Sequence, residues 1–367
     1  MQSAEVRTAR LRPADFQRPV VRLYLRVPRT IGICRALDAY RYLARWRSFF
    51  AGLGFEVVVS EPTTRQTIEL GARLAPAELC LPAKVFLGHV LELKGRVDAL
   101  FLPRLVCQYS GKDLLFSCPK SLALPDMTRA LIPGLESAVE LVIDEREEPE
   151  EQAYRKMAKV LTGRRQKSEG RIENAEVRPR SQTQSTQRVR TNPKSKTQNP
   201  TSPDAGVSPL GYQEAGQSKV QNPKSKIGAV SDPVRVGVIA HPYLIHDRVL
   251  CLDLLAKIET LGITAVLPEF ALRPNVRLDG RFRTNWLFEV ELVDSAEAMA
   301  RDGIDGLLLA SSFACGTSAV TSEVVRRELA HVRPGLPVLQ VFFDEHSAEA
   351  GLATRLESFV ELLRMKR

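Results

Sequence analysis

The pattern of apolar and polar positions divides the chain into two stretches of alternating strands and helices, separated by a long polar segment. In the first stretch, Thr30 to Ile33 reads as a short apolar strand, and Leu37 to Phe50 places Tyr40, Leu43, Trp46 and Phe50 at helical spacing. Phe55 to Ser60 is the next strand, followed by helices over Thr64 to Leu74 and Pro82 to Leu93. Val97 to Leu105 and Val139 to Asp144 are further strands, and Glu150 to Leu161 is a charged closing helix. In the second stretch the predicted strands are Val234 to Ala240, Ile263 to Leu267, Ile304 to Ser311 and Pro337 to Phe343. Helices over Arg248 to Leu261, Asn285 to Arg301, Ser318 to His331 and Ala348 to Met365 alternate with them. Near-continuous apolar strands alternating with helices predict parallel sheets covered on both faces. The expected fold class is therefore α/β. It consists of two Rossmann-like or flavodoxin-like parallel-sheet lobes, residues 19–163 and 231–367, with a tail at 1–18 and a disordered basic linker at 164–230.

The linker is rich in Ser, Gln, Thr, Asn, Lys and Pro and repeats Asn192-Pro-Lys-Ser-Lys196 at Asn222-Pro-Lys-Ser-Lys226. Such a composition cannot bury enough apolar surface to offset the entropy of ordering it. It holds 13 Lys or Arg against 5 Asp or Glu, so nearly all of the net charge of +9 lies there and the lobes are close to neutral. A solvated linker fits it better than a nucleic-acid-binding segment, because Tyr212 is its only aromatic residue. No run of apolar residues is long enough for a membrane helix, and the Arg-rich N-terminus lacks the apolar core of a secretory signal. The expected location is cytoplasmic. There, six cysteines read as ligands, catalytic groups or core residues rather than disulfides.

In open parallel sheets, ligands bind beyond the carboxyl ends of the strands. Cys315 follows the strand ending at Ser311, and Cys118 falls in the long loop expected after Leu105. Cys80 sits between two predicted helices and can face the same rim. Pro82 and Pro119 limit the backbone beside two of these thiols, Gly316 allows close approach beside the third, and Lys84 and Lys120 favour thiolates. Each alone reads as an ordinary buried thiol; three at matching positions read as a ligand set for an iron–sulfur cluster. Cys34 and Cys107, at strand ends, are candidates for a further ligand, and Cys251 reads as packing. Zinc is the rival, although the chain has no C-x-x-C pair. A non-catalytic binding or assembly module with structural thiols is the other alternative.

At these residues the chain resembles the uncharacterised domain associated with CoA-substrate-specific enzyme activases, a relative of 2-hydroxyacyl-CoA dehydratase subunits and double-cubane-cluster reductases. The matching stretches include Ile31-Gly-Ile-Cys-Arg-Ala-Leu37, Leu53-Gly-Phe-Glu-Val-Val58, Cys80-Leu-Pro-Ala-Lys84, Gly88-His89 and Phe101-Leu-Pro-Arg104. They continue through Cys118-Pro-Lys120, Leu124-Pro-Asp126, His241-Pro242, Ser311-Ser-Phe-Ala-Cys-Gly316, Asp344-Glu-His346 and Thr354-Arg-Leu-Glu357. The resemblance implies a 4Fe-4S cluster on Cys80, Cys118 and Cys315 and a place in ATP-driven, low-potential electron transfer. Two departures stand out. The family usually has Pro at the position of Cys34, and Gly-Cys-Gly-Pro-Asp-Ser where this chain has Ala314-Cys-Gly-Thr-Ser-Ala319.

No G-x-x-x-x-G-K-[ST] loop occurs, so the expected ATPase is a separate, activase-type partner, with an acyl-CoA as substrate. A homodimer or heterodimer and a dehydratase-like or reductase-like role complete the expectation, with no membrane or nucleic-acid partner. Glu345 and His346, just past the last strand, are candidate catalytic groups for a proton relay, and His241 and His89 rank behind them.

Overall fold

The computed structural model describes residues 28–110, 113–135, 138–176, 233–270 and 285–367. The tail at 1–18 and residues 177–230 of the expected linker lie outside these ranges.

The N-terminal lobe runs β1 (Thr30–Ile33), α1 (Ala39–Gly52), β2 (Glu56–Val59), α2 (Arg65–Leu74), α3 (Leu81–Leu93), β3 (Ala99–Ser110), β4 (Asp113–Phe116), α4 (Pro119–Leu131), β5 (Val139–Asp144) and α5 (Glu150–Glu176). Its parallel strands lie in the order β2-β1-β3-β5, and β4 pairs antiparallel with the far end of β3. The C-terminal lobe runs β6 (Val234–Ile239), α6 (Pro242–His246), α7 (Leu254–Thr260), β7 (Ile263–Val266), α8 (Leu287–Arg301), β8 (Gly306–Ser312), α9 (Gly316–Val332), β9 (Val338–Phe343) and α10 (Glu349–Met365). Its sheet is wholly parallel in the order β7-β6-β8-β9. The fold class is thus the expected α/β pair of parallel-sheet lobes.

Three details differ from the expectation. Cys118 does not lie in a long loop: β3 continues to Ser110, turns back as β4, and Cys118 starts α4. Pro119 occupies the first turn of α4, where a missing N–H costs nothing, and Pro125 is tolerated within the helix. Of the single helix expected at 248–261 only α7 forms, after a turn over 248–253, and the short α6 precedes that span. The Asp247 carboxylate caps the amides of Val249 and Leu250, and Leu252 and Asp253 take left-handed backbone with φ of 52° and 55°, which ends any continuous helix. Helix α5 runs past the expected boundary at Arg164, through Glu176.

Helix α3 is buried almost all round, as a helix apolar on every face must be. It packs on α2 at backbone contact: a Cβ at Gly71 would lie 1.8 Å from the Lys84 carbonyl oxygen, and one at Gly88 2.0 Å from that of Thr67. This close approach fixes the start of α3, and with it Cys80. One core cluster runs from α3 into β6, β8 and α10, so the lobes share apolar packing. Polar ties reinforce it. The Tyr40 hydroxyl donates to Asp247 Oδ2 (2.9 Å), the Lys84 ammonium meets Glu345 Oε1 (2.5 Å), and the Phe116 amide donates to the Asn285 carbonyl (2.7 Å).

Candidate functional site

A cavity with about 630 Å³ of empty space, partly open to solvent, lies between the lobes. Cys80, Cys118 and Cys315 all line it. Each is the N-cap of a helix, α3, α4 and α9 respectively, with extended backbone that turns the side chain across the helix end. Asp38, the N-cap of α1, and His241, the N-cap of α6, line the same cavity. The free amides of the long helices α3, α4 and α9 therefore present partial positive charge to the thiols. The Ser121 amide donates to Cys118 Sγ at 3.3 Å, and the amides of Ala83 and Ser318, three residues past their cysteines in the same way, favour the thiolates of Cys80 and Cys315.

Lys120 ties the three cysteine segments together. Its ammonium donates to the Glu78 carbonyl (2.6 Å) beside Cys80 and to the Ala314 carbonyl (2.7 Å) beside Cys315. Ala314 itself, next to Cys315, takes left-handed backbone (φ 59°), as does Leu37 (φ 51°) in the cavity lining. Both are non-glycine residues held in a conformation that costs free energy, at the rim of one cavity.

The thiols differ in their electrostatics. Burial pushes Cys80 up, and pushes Cys118 up to about 12. Burial also raises Cys315, but the His241 imidazole and hydrogen bonds from Ser318 and Thr317 outweigh it, and Cys315 lies below the ordinary thiol value. His241 is buried, which disfavours its charged form. Its Nε2 contact with Glu289 Oε1 (3.2 Å) prevails, and its pKa lies above the usual histidine value. Its other nitrogen meets the Ser318 hydroxyl at 3.3 Å. Glu289 is correspondingly held below the usual carboxylate range, burial being offset by His241 and Thr317. A buried imidazole and carboxylate thus stand beside the least basic of the three thiols.

Arg41 completes the wall. Its Nη2 pairs with Glu291 of the other lobe, and its guanidinium lies 4.5 Å from the Phe288 ring centre. Among the described residues its Nε and Nη1 have no hydrogen-bond partner.

Other candidates lie elsewhere. Cys34 is in the core, pushed up by burial and by Glu92. Cys107 sits on β3 between Phe116 and Asp144, and Cys251 packs at the turn before α7. Glu345 is engaged by Lys84, whose ammonium clasps the lobes rather than facing the thiols, and His346 is exposed; neither lines the cavity. His89 is buried in a chain of hydrogen bonds from Glu92 through Thr63 to Asp247. Sequence reasoning did not single out Asp38, Arg41, Glu289 or Glu291. The available signal for the two glutamates was their place inside the apolar run Leu287 to Val293, where solvated acids are out of place.

Among the described residues, no three His, Cys, Asp or Glu side chains gather closely enough to hold one metal ion. The three thiols share the lining of one cavity. No helix among the described residues is long and apolar enough to cross a membrane. No curated protein matches the chain significantly. The sequence profile of the CoA enzyme activase uncharacterised domain matches residues 30–270, which include Cys80, Cys118 and His241 and end before Cys315. With most of its length matched, the chain belongs to the CoA enzyme activase uncharacterised domain family.

Proposed function

We propose that the protein holds a 4Fe-4S cluster on Cys80, Cys118 and Cys315 and works in low-potential electron transfer, with a separate activase-type ATPase and an acyl-CoA substrate. The observation that carries this reading is the meeting of three cysteines, each capping a helix, in one cavity between the lobes. Burial raises the Cys80 and Cys118 thiols, helix amides and, at Cys80, Lys120 offset part of that, and Cys315 lies below the ordinary thiol value, so metal ions would have to supply the remaining stabilisation of the thiolates. When bound, the cluster would supply one-electron transfer and, with only three protein ligands, one iron open to another group.

The chain's own residues would then hold and protect that group. Pro82, Leu124 and Phe288 would give it apolar walls, while Lys120 ties the cysteine segments together. The His241 imidazole, braced by Glu289, keeps a proton beside Cys315. The family membership supports a role alongside CoA enzyme activases.

Anaerobic reconstitution with ferrous iron and sulfide tests the reading. The expected product is brown and air-sensitive, with about four iron and four sulfide per chain. A Cys80→Ser, Cys118→Ser, Cys315→Ser triple variant is expected to stay folded and colourless. Colourless wild-type protein without iron after reconstitution would overturn the proposal.

A further inference from the structure

Exposed apolar side chains gather along one edge of the C-terminal sheet. Of the nine large apolar side chains exposed among the described residues, Phe313, Val320, Phe342, Leu362 and Met365 belong to β9 or to the segments packed around it. Strand β9 ends the order β7-β6-β8-β9, so among the described residues no strand pairs with its outer side. Sheet edges are ordinarily guarded by charge, proline or shortness. Strand β2 carries Glu56, β5 carries Glu140 and Asp144, and β7 has only four residues. Strand β9 has six, Val-Leu-Gln-Val-Phe-Phe, with no charge and no Pro or Gly. Its side chains alternate between two helices: Val341 and Phe343 pack in the core of α10, Val338 packs in that of α9, and Phe342, on the α9 side, stands in solvent. The outer flanks of both helices face this edge. From one flank of α9, Arg333 Nη1 donates to the Ala300 carbonyl of α8, which leaves Val320 on the flank over β9. From one flank of α10, Arg364 Nη2 donates to the Leu261 carbonyl at the end of α7, which leaves Leu362 on the flank toward β9.

We propose that this edge joins two copies of the chain, with β9 of one pairing antiparallel to β9 of the other about a twofold axis, so that the two sheets become one. An uncharged edge with apolar flanks on both faces is complementary to itself. An axis perpendicular to the sheet brings α9 against α9 and α10 against α10. With that axis at Gln340, Phe342 stands opposite Val338 of the second copy, an aromatic and β-branched pair of the kind that stabilises antiparallel strands. The extent of the surface also fits. Helices α9 and α10 have 17 residues each, so they run about 25 Å. Helix, strand and helix layers about 10 Å apart make the edge about 30 Å wide. Roughly 750 Å² per copy results, close to the ~800 Å² that each partner of a stable interface buries. Because the paired strands run in opposite directions, the two cavities lie at opposite ends of the joined sheet and neither is covered by the other copy. This inference goes beyond the redox reading and does not depend on it, since Val320, Phe342 and Leu362 do not line the cavity.

The test is sedimentation of the full chain, iron-free and under reducing conditions so that thiol cross-links do not contribute, between about 1 and 100 μM. The expected species is a dimer of twice the 40.8 kDa chain mass, and the amides of β9 should exchange more slowly as concentration rises. Phe342→Lys sets a charge on the edge and should weaken the dimer at least about tenfold, and Leu362→Lys on the other face should act in the same direction. Val142→Lys, at an exposed apolar position on β5 of the other lobe, should leave it unchanged. Should Phe342→Lys fail to fold, Gln340→Glu changes the side chain little in size and sets two like charges opposite each other on the axis. That variant should weaken the dimer about fivefold at neutral pH. A monomer at every concentration, a dimer undiminished in the folded edge variants, or concentration-dependent protection on other strands but not on β9 would overturn the interface. Because association is read without iron, failure here is distinct from failure of the protein to take up a cluster.

Discussion

The two lobes are variations on one plan. Both place their parallel strands in the order second, first, third, fourth, and both turn into the second strand through a left-handed glycine, Gly54 at φ 79° and Gly262 at φ 76°. In each, the aspartate before the third strand accepts from the start of the first. Asp98 takes the amides of Arg29 and Thr30, and Asp305 takes that of Arg235. In each, a glycine in the first strand is crowded by side chains of the third strand's segment: Gly32 by Val97 and Leu100, Gly237 by Ile304 and Leu307. The helix after the first strand is capped by a titratable residue facing the cavity, Asp38 in one lobe and His241 in the other. The helix after the third strand is capped by Cys118 or Cys315. The plans part between the second and third strands. There the N-terminal lobe uses the tight α2–α3 pair to present Cys80, and the C-terminal lobe uses α8 to present Glu289. A repeated scaffold thus supplies paired positions, and the asymmetry of the site comes from one inserted helix pair.

That difference can be broken most severely at the helix pair itself. Gly88→Ala would set a methyl against the backbone of Thr67, which cannot move without separating α2 from α3. The expected loss is about 3 kcal/mol or more in denaturant unfolding. At Gly306 in the other lobe an added Cβ meets only the side-chain ends of Leu363 and Phe359, so Gly306→Ala should cost about 1–2 kcal/mol. Equal losses at the two sites would show that α2 and α3 do not touch through backbone.

A smaller effect, of opposite sign, is expected at the paired helix caps. Asp38 is buried and makes no side-chain capping bond, and burial, opposed by Arg41 and His241, raises its pKa to about 6. The folded state therefore holds the Asp38 proton more tightly than the unfolded chain, and its contribution to stability is lost as pH rises from about 4 through about 6. Asp38→Asn cannot ionise, so it should be about 2 kcal/mol more stable than wild type above pH ~7, with the gap closing below pH ~4. Thermal unfolding across that range reads it directly, and a gap independent of pH would refute the assignment.

How much of this was legible beforehand follows from what each residue type advertises. Parallel strands announce themselves as apolar runs, and placing ligands beyond strand ends led to Cys118 and Cys315 even though the secondary structure around Cys118 was misjudged. A cysteine N-cap followed by Pro119, with Pro125 inside the helix, carries the marks of a loop; only the packing of α4 against β3 and α3 overrides them. Arg41 and Glu291 were hidden for the opposite reason. On amphipathic helices a charged residue ordinarily faces water, and nothing in the spacing of α1 reveals that a second lobe covers that face. Glu345 and His346 show the converse, a rim position that the lobe clasp and solvent occupy.

The smallest effect separates the two strand-three cysteines. Cys315 follows Ala314, whose backbone is left-handed and whose methyl packs at the edge of the shared core, whereas Ser117 before Cys118 is not among the left-handed residues described. An L-residue in this conformation costs roughly 1–2 kcal/mol, and glycine offsets part of that relief by greater freedom in the unfolded chain. Ala314→Gly should therefore raise stability by about 0.5–1 kcal/mol, while Ser117→Gly should lower it by a similar amount. Since Lys120 holds the 314 carbonyl rather than its side chain, the glycine variant should keep Cys315 in place and leave iron uptake unchanged. A loss of stability in Ala314→Gly would mean that the turn into α9 is not strained. The N-caps of α4 and α9 would then be alike in backbone as well as in topology, leaving the imidazole beside Cys315 as the difference between the two thiols.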